Sequence, residues 1–120
     1  MSTPGGLVGT VIDAPEITVS PGDTKNTISL NASITEAEGY DLYWDTTTGL
    51  GKQSANVFTN VTFPKEHTGL TNGVQIFYTP VAWNDTTLEE SDVGTQQSGT
   101  PQAAAPPSAE WVVSGLLITV

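Results

Sequence analysis

The sequence predicts an all-β fold, a two-sheet sandwich of about seven strands. Three observations predict it. The first is composition: threonine is the commonest residue with 19 copies, and 12 glycines and 8 prolines punctuate the chain. Threonine, valine and isoleucine suit the pleated, half-buried surface of a strand, while Gly, Pro, Asn and Asp favour turns. The second is a two-residue apolar alternation in the middle of the chain, with no segment holding a helical period over three turns. The third is the recurrence of turn signals every roughly 8–12 residues, the spacing of a sandwich. Polar chains rich in Pro and Gly often stay unfolded. Three Trp, three Tyr and three Phe argue against that here, and 120 residues are enough for one domain with a sizeable core.

Along the chain, residues 7–12 form a short apolar patch, a weak strand between glycines. Residues 16–20 (EITVS) predict a short strand, and Pro21-Gly22-Asp23-Thr24 a turn. Residues 26–34 alternate, with Ile28, Leu30, Ala32 and Ile34 on one face, and predict a half-buried strand. Residues 40–45 predict the next, with Tyr40, Leu42 and Trp44 on one face and Asp41, Tyr43 and Asp45 on the other. Residues 46–52 are a polar turn region. Residues 55–63 predict one or two strands, and Leu70-Thr71-Asn72-Gly73 a turn, since Asn-Gly tolerates positive φ. Residues 74–83 predict a long strand in which Pro80 cannot donate a ladder hydrogen bond, so a bulge or an edge is expected there. Residues 84–90 predict an acidic loop, and 91–99 a last weak strand.

Charge excludes several functions. Thirteen acidic side chains stand against three basic ones, all lysine (Lys25, Lys52, Lys65), for a net charge of −10. A nucleic-acid binder needs a basic footprint, and an anionic membrane surface needs one too; neither nucleic acid nor membrane is an expected partner. With no cysteine, disulfides and thiolate chemistry are excluded. The start of the chain has no positive n-region and no signal-length apolar run, and no stretch reaches the roughly 18 apolar residues of a membrane span. The expectation is a protein that acts where it is made, or one whose signal has been removed.

Residues 14–101 resemble a fibronectin type III domain, an immunoglobulin-like sandwich, of the kind common in bacterial and phage proteins. The resemblance starts at Ala14-Pro15 and runs through Gly22-Asp23 and Thr27-Ile28-Ser29-Leu30. It continues in Gly39-Tyr40-Asp41-Leu42-Tyr43-Trp44-Asp45-Thr46, which is close to the family's Tyr-x-(Ile/Val)-Tyr-Trp-x-Thr strand and turn. The strongest match is His67-Thr68-Gly69-Leu70-Thr71-Asn72-Gly73 with the aromatic strand up to Val81-Ala82-Trp83-Asn84, and Ser98-Gly99-Thr100-Pro101 closes it. The family's usual Trp in the second strand is missing, with Asn31-Ala32 near its place. Its corner tyrosine falls on Ile76, so the hydroxyl bond to the backbone is lost. The resemblance implies seven strands; outside it, composition marks an N-terminal arm at 1–13, an Ala/Pro linker at 102–110 and an apolar C-terminal arm at 111–120.

No catalytic, metal or cofactor site is assigned. His67, the single histidine, is expected on the surface or in a turn. Asp85, Glu89, Glu90 and Asp92 form the densest acidic cluster but lack the spacing of a calcium loop, so a solvated face is expected. Three sequons, at Asn31, Asn60 and Asn84, arise readily in a chain with so much threonine. The informative segment is 111–120, where Trp111, Val112, Val113, Leu116, Leu117, Ile118 and Val120 are large and apolar. Extended, it reaches about 33 Å. Burying its side chains is worth at most on the order of 10–20 kcal/mol gross, and left in water it is an aggregation hazard. It is expected to be covered, either as an extra strand on its own sandwich or as one added to a neighbour; Leu7, Val8, Val11 and Ile12 would act likewise.

The resemblance and these arms together imply a non-enzymatic phage virion structural protein, a head-decoration or tail-surface subunit assembled in the host cytoplasm. Identical subunits and capsid or tail proteins are its expected partners. A second expectation is a module binding carbohydrate or a host surface through the loops 35–39, 46–54 and 84–90, with Asp85, Glu89 and Glu90 exposed there; these loops hold no aromatic residue on which a sugar would stack. A third is a spacer module of a secreted bacterial protein, placed on the extracellular surface.

Overall fold

The computed structural model describes residues 12–104. Among them stand eight strands and no helix: β1 (Ile17–Gly22), β2 (Lys25–Leu30), β3 (Gly39–Asp45), β4 (Val57–Phe58), β5 (Lys65–His67), β6 (Ile76–Asn84), β7 (Glu89–Glu90) and β8 (Gln97–Gly99). They form two antiparallel sheets in a sandwich-like arrangement. One has the order β1-β2-β5; the other has β4-β3-β6, with β7 and β8 both on the far edge of β6.

The alternation read from the sequence sets which faces meet. Ile17 and Val19 of β1 and Ile28 and Leu30 of β2 turn toward Tyr40, Leu42 and Trp44 of β3 and Ile76 and Tyr78 of β6; Phe58, Val61, Phe63 and Leu70 complete this core. Fully burying a side chain such as Ile28 or Leu42 contributes about 1.5–3 kcal/mol. Tyr40 meets Phe63 edge-on at 5.7 Å, and its hydroxyl accepts from the Ile34 N–H at 3.0 Å.

Three expected boundaries move. Pro21 and Gly22 belong to β1, and the turn is only Asp23-Thr24, closed by the pairing of Gly22 with Lys25. Thr24 takes a φ of +56°, costly for a β-branched residue. It is held there by a second turn, since the Thr24 N–H donates to Asn72 Oδ1 at 2.8 Å and Asn72 Nδ2 donates to Asp23 Oδ1 at 2.9 Å. The strand expected over 26–34 ends at Leu30, because β1 begins at Ile17 and offers residues 32–34 no partner. The strands expected within 55–63 shrink to Val57–Phe58.

The last strand, expected over 91–99, shrinks to β8, and β7 forms ahead of it at Glu89–Glu90, within the segment expected to be an acidic loop. β7 pairs with β6 at Trp83 and Asn84, and β8 pairs with it at Ile76, Phe77 and Tyr78. The break lies opposite Pro80. Its carbonyl accepts from the Gly94 N–H at 2.8 Å. In a strand, the N–H and C=O of one residue point the same way, so the missing proline donor faces this segment and not β3. The local edge demanded by Pro80 is found, and the regular ladder resumes on either side of it.

Candidate functional site

The end of the sandwich that holds the tips of β3 and β6 gathers two of the three loops expected to bind. Glu38 organises it. Its Oε1 accepts from the backbone N–H groups of Asp85 and Thr86 at 2.9 and 3.3 Å, and its Oε2 accepts from Thr86 Oγ1 at 2.6 Å. The Thr86 hydroxyl bond, with these two N–H donors, holds the Glu38 carboxyl below the usual carboxylate range against a smaller upward push from burial. Asn84 Nδ2 donates to the Glu36 carbonyl at 2.8 Å, fastening the same two loops again. Such a brace follows from the loops' polar composition, yet the pairing of 38 with 86 has no local sequence signal.

Of the acidic residues expected in this loop, Asp85 is exposed at the turn, whereas Glu89 and Glu90 stand in the strand β7. Glu89 Oε1 accepts from Thr87 Oγ1 at 2.9 Å, and Glu90 meets Lys52 Nζ at 2.9 Å. Among the described residues no three His, Asp or Glu side chains gather where a metal ion could be held. Leu88, with φ of +62°, projects from the turn at 87 % exposure.

The third loop, 46–54, starts at the opposite end of β3 but crosses to this one. Gln96 Oε1 accepts from the Gly49 and Leu50 N–H groups at 3.1 and 3.3 Å, and Lys52 then reaches Glu90. Since β6 lies between β3 and β7, this path runs over the outer face of β6. That accounts for Thr79 and Val81, which point away from the core yet are fully buried. Tyr43 shares this face, and burial pushes its phenol up, helped by the charges of Asp41 and Glu90. At the loop end, Trp83 lies over Gly39, where a β-carbon would run into its ring, and its Nε1 donates to Asp41 Oδ1 at 3.0 Å. The loops hold no aromatic residue, but the strand beside them brings this half-buried indole to their edge.

His67 is a correction. It is not at the surface or in a turn: it ends β5 at 8 % exposure, inside the sandwich. Trp44, Phe58 and Tyr78 surround its ring at centroid distances of 4.4, 5.0 and 5.8 Å, all edge-on. Its Nδ1 lies 2.8 Å from the Tyr78 hydroxyl, and Asn26 Nδ2 donates to that same hydroxyl at 3.1 Å and to the Gly99 carbonyl at 3.2 Å. Asn26 thus donates to the hydroxyl, and the direction of the His67–Tyr78 bond is set by the ring's tautomer. Burial pushes His67 down, aided by the nearby Lys65 charge, and burial pushes Tyr78 up to about 12. Both groups are thus held uncharged. Asn26 Oδ1 has no hydrogen-bond partner although it is buried. The cluster ties β2, β5, β6 and β8 together, and it is enclosed by rings.

The arm residues Leu7, Val8, Val11, Trp111, Val112, Val113, Leu116, Leu117, Ile118 and Val120 lie outside the described residues. Ile12 lies within them and is 5 % exposed, its side chain committed to the chain's own body. Beside it, Asp13, Ala14, Glu16 and residues 31–36 line an open groove.

Fold and site together define a small all-β sandwich with a buried His-Tyr-Asn cluster and a braced, acidic loop end. No protein-family model matches the chain, and no curated protein matches it.

Proposed function

We propose that this chain is a non-enzymatic structural subunit of a phage virion, a head-decoration or tail-surface protein. Its body, residues 14–101, is a fibronectin type III-like sandwich, and its apolar ends anchor it to identical subunits or to capsid or tail proteins. The strand order supports the family reading. An immunoglobulin-type sandwich places its first, second and fifth strands in one sheet and its third, sixth and seventh in the other. β1, β2 and β5 share one sheet here, and β3 and β6 share the other with β7 and β8 in the seventh place.

The observation that carries the functional reading is the distribution of charge. All 16 charged side chains fall between Asp13 and Glu110, whereas 1–12 and 111–120 hold none. A body of like charge repels its neighbours, and uncharged apolar ends are the parts suited to contact. Removing 111–120 is expected to abolish incorporation into particles while leaving a folded body. Normal incorporation of the truncated chain would overturn the reading.

Trp83 favours a second reading, a carbohydrate- or host-surface-binding module. Its indole stands at the edge of the braced loops, with the Asp41 carboxylate beside it. A glycan array probed with the chain and with Trp83→Ala tests this; binding lost in the variant would support it, and an array without hits would set it aside.

A further inference from the structure

We propose that Asn72 is a self-modification site, at which the Gly73 amide nitrogen and water turn the side-chain carboxamide into a carboxylate, and that this change unfastens one end of the sandwich. Asn72-Gly73 is the one Asn-Gly step in the chain; the five other asparagines precede Thr27, Ala32, Val57, Val61 and Asp85. Glycine has no side chain to screen its nitrogen from the carboxamide before it. Asn72 and Gly73 are both exposed. They form the centre of a turn closed by the Val74 N–H on the Thr71 carbonyl at 3.2 Å, and Gly73 takes the φ of +91° that a type II turn requires at its place.

The chemistry needs only water and hydroxide. The Gly73 nitrogen gives up its proton to hydroxide and attacks Asn72 Cγ. A bond forms between them, the carboxamide C–N bond breaks, and the amide leaves as ammonia after taking a proton from water. The product is a five-membered succinimide. Water then adds to one of its two carbonyl carbons and opens the ring. Breaking the new N–Cγ bond yields aspartate; breaking the original peptide bond yields isoaspartate, whose backbone is one carbon longer. Nothing is oxidised or reduced.

The structure sets both the gate and the consequence. The Gly73 N–H donates to the Pro101 carbonyl at 2.8 Å. The Asn72 side chain accepts from the Thr24 N–H and donates to Asp23 Oδ1. Both reacting groups are therefore engaged, and the step runs through local openings in which the turn lifts from Asp23, Thr24 and Pro101. After the step the amide donor is gone, and a second carboxylate faces that of Asp23, a like-charge contact. Thr24 loses the bridge that holds its costly φ of +56°. In the isoaspartate product the lengthened backbone also breaks the 71–74 turn. The Leu70 N–H donates to the Thr24 carbonyl at 2.9 Å and the Gln102 N–H to the Gly22 carbonyl at 3.0 Å. The same turn thus fastens the β1–β2 connection and the segment by which the chain leaves β8.

The full-length chain is incubated at mildly alkaline pH, folded and in urea, and read by peptide mass mapping and by labelling with an isoaspartate methyltransferase. Modification is expected at residue 72 of the folded chain, ahead of the five other asparagines, and several-fold faster in urea. A folded chain that stays unmodified at 72 while the urea sample reacts, other asparagines reacting as fast, or equal rates folded and unfolded would each overturn the proposal. The consequence is read by hydrogen exchange on Asn72→Asp, with thermal unfolding to establish that it folds. The amides of Thr24, Leu70, Gly73 and Gln102 are expected to exchange several-fold faster, with Ile28 unchanged. Adding Asp23→Asn returns an amide donor to the pair and is expected to restore most of the protection. Unchanged exchange in Asn72→Asp, or no recovery in the double variant, would overturn the unfastening.

Discussion

The Tyr78 hydroxyl and His67 Nδ1 lie 2.8 Å apart inside the sandwich, on strands of opposite sheets. This bond, with Asn26 beside it, joins the two layers through a polar contact within an otherwise apolar core. Buried polar groups of this kind stabilise when fully paired and cost heavily when one partner is removed.

Tyr78→Phe keeps the ring and deletes the hydroxyl. His67 Nδ1 then loses its hydrogen-bond partner and Asn26 loses one of its two acceptors. The expected loss is about 1–3 kcal/mol, read as a lower urea midpoint with an unchanged m-value.

Acid should weaken the fold through His67. Burial lowers its pKa in the folded state below the ordinary 6.5, so the unfolded chain takes the proton first. The stability due to the neutral ring is complete above pH 6.5 and is lost as the pH falls from there toward the lower folded value. Urea midpoints measured between pH 8 and pH 5 are expected to fall on acidification, and His67→Gln is expected to flatten that slope. An unchanged slope in the variant would remove His67 as its source. At the alkaline end, Tyr78 should contribute a loss that begins near pH 10 and runs to about 12, because the folded state holds the phenolic proton more tightly.

Gly39 sits beneath Trp83 with no room for a β-carbon. Gly39→Ala is expected to cost about 1–3 kcal/mol by overpacking and to shift Trp83 fluorescence. Combined with Trp83→Leu, the cost of the alanine should shrink, a non-additivity expected of touching side chains.

Glu38→Gln should loosen the acidic loop end. The Asp85 and Thr86 amides that donate to the Glu38 carboxylate are expected to exchange hydrogen faster, while core amides such as Ile28 keep their protection. Because the Glu38 pKa is lowered in the folded chain, its contribution is present above pH 4.5 and fades as the pH falls below it. The same amides in the parent should therefore lose protection on acidification.

The sequence was most legible where one face of a strand is buried along its whole length. Tyr40, Leu42 and Trp44 alternate with Asp41, Tyr43 and Asp45, and β3 follows that pattern with one residue added at its start. Alternation misled beyond Leu30, since periodicity records a face but not whether a partner strand reaches it. Pro80 was legible as a ladder defect, although its effect, a divided edge strand, depended on which side its absent donor faced. His67 was misread because its neighbours Thr68 and Gly69 signal a turn, while the groups that hold it, Asn26, Trp44 and Tyr78, come together only when the two sheets pack. The brace from Glu38 to Thr86 and the bridge from Lys52 to Glu90 span 48 and 38 residues of sequence and leave no local trace. Charge distribution needed no folding to be read, and it supports the reading of the ends as contact segments.

The central claim, an acidic sandwich that joins its neighbours through uncharged ends, is tested most directly by sedimentation equilibrium of the full chain beside a chain ending at residue 110. The account predicts self-association of the full chain, and a monomer that still unfolds cooperatively for the shortened one. Equal masses for the two, or an unfolded shortened chain whose tail was part of its own core, would contradict it.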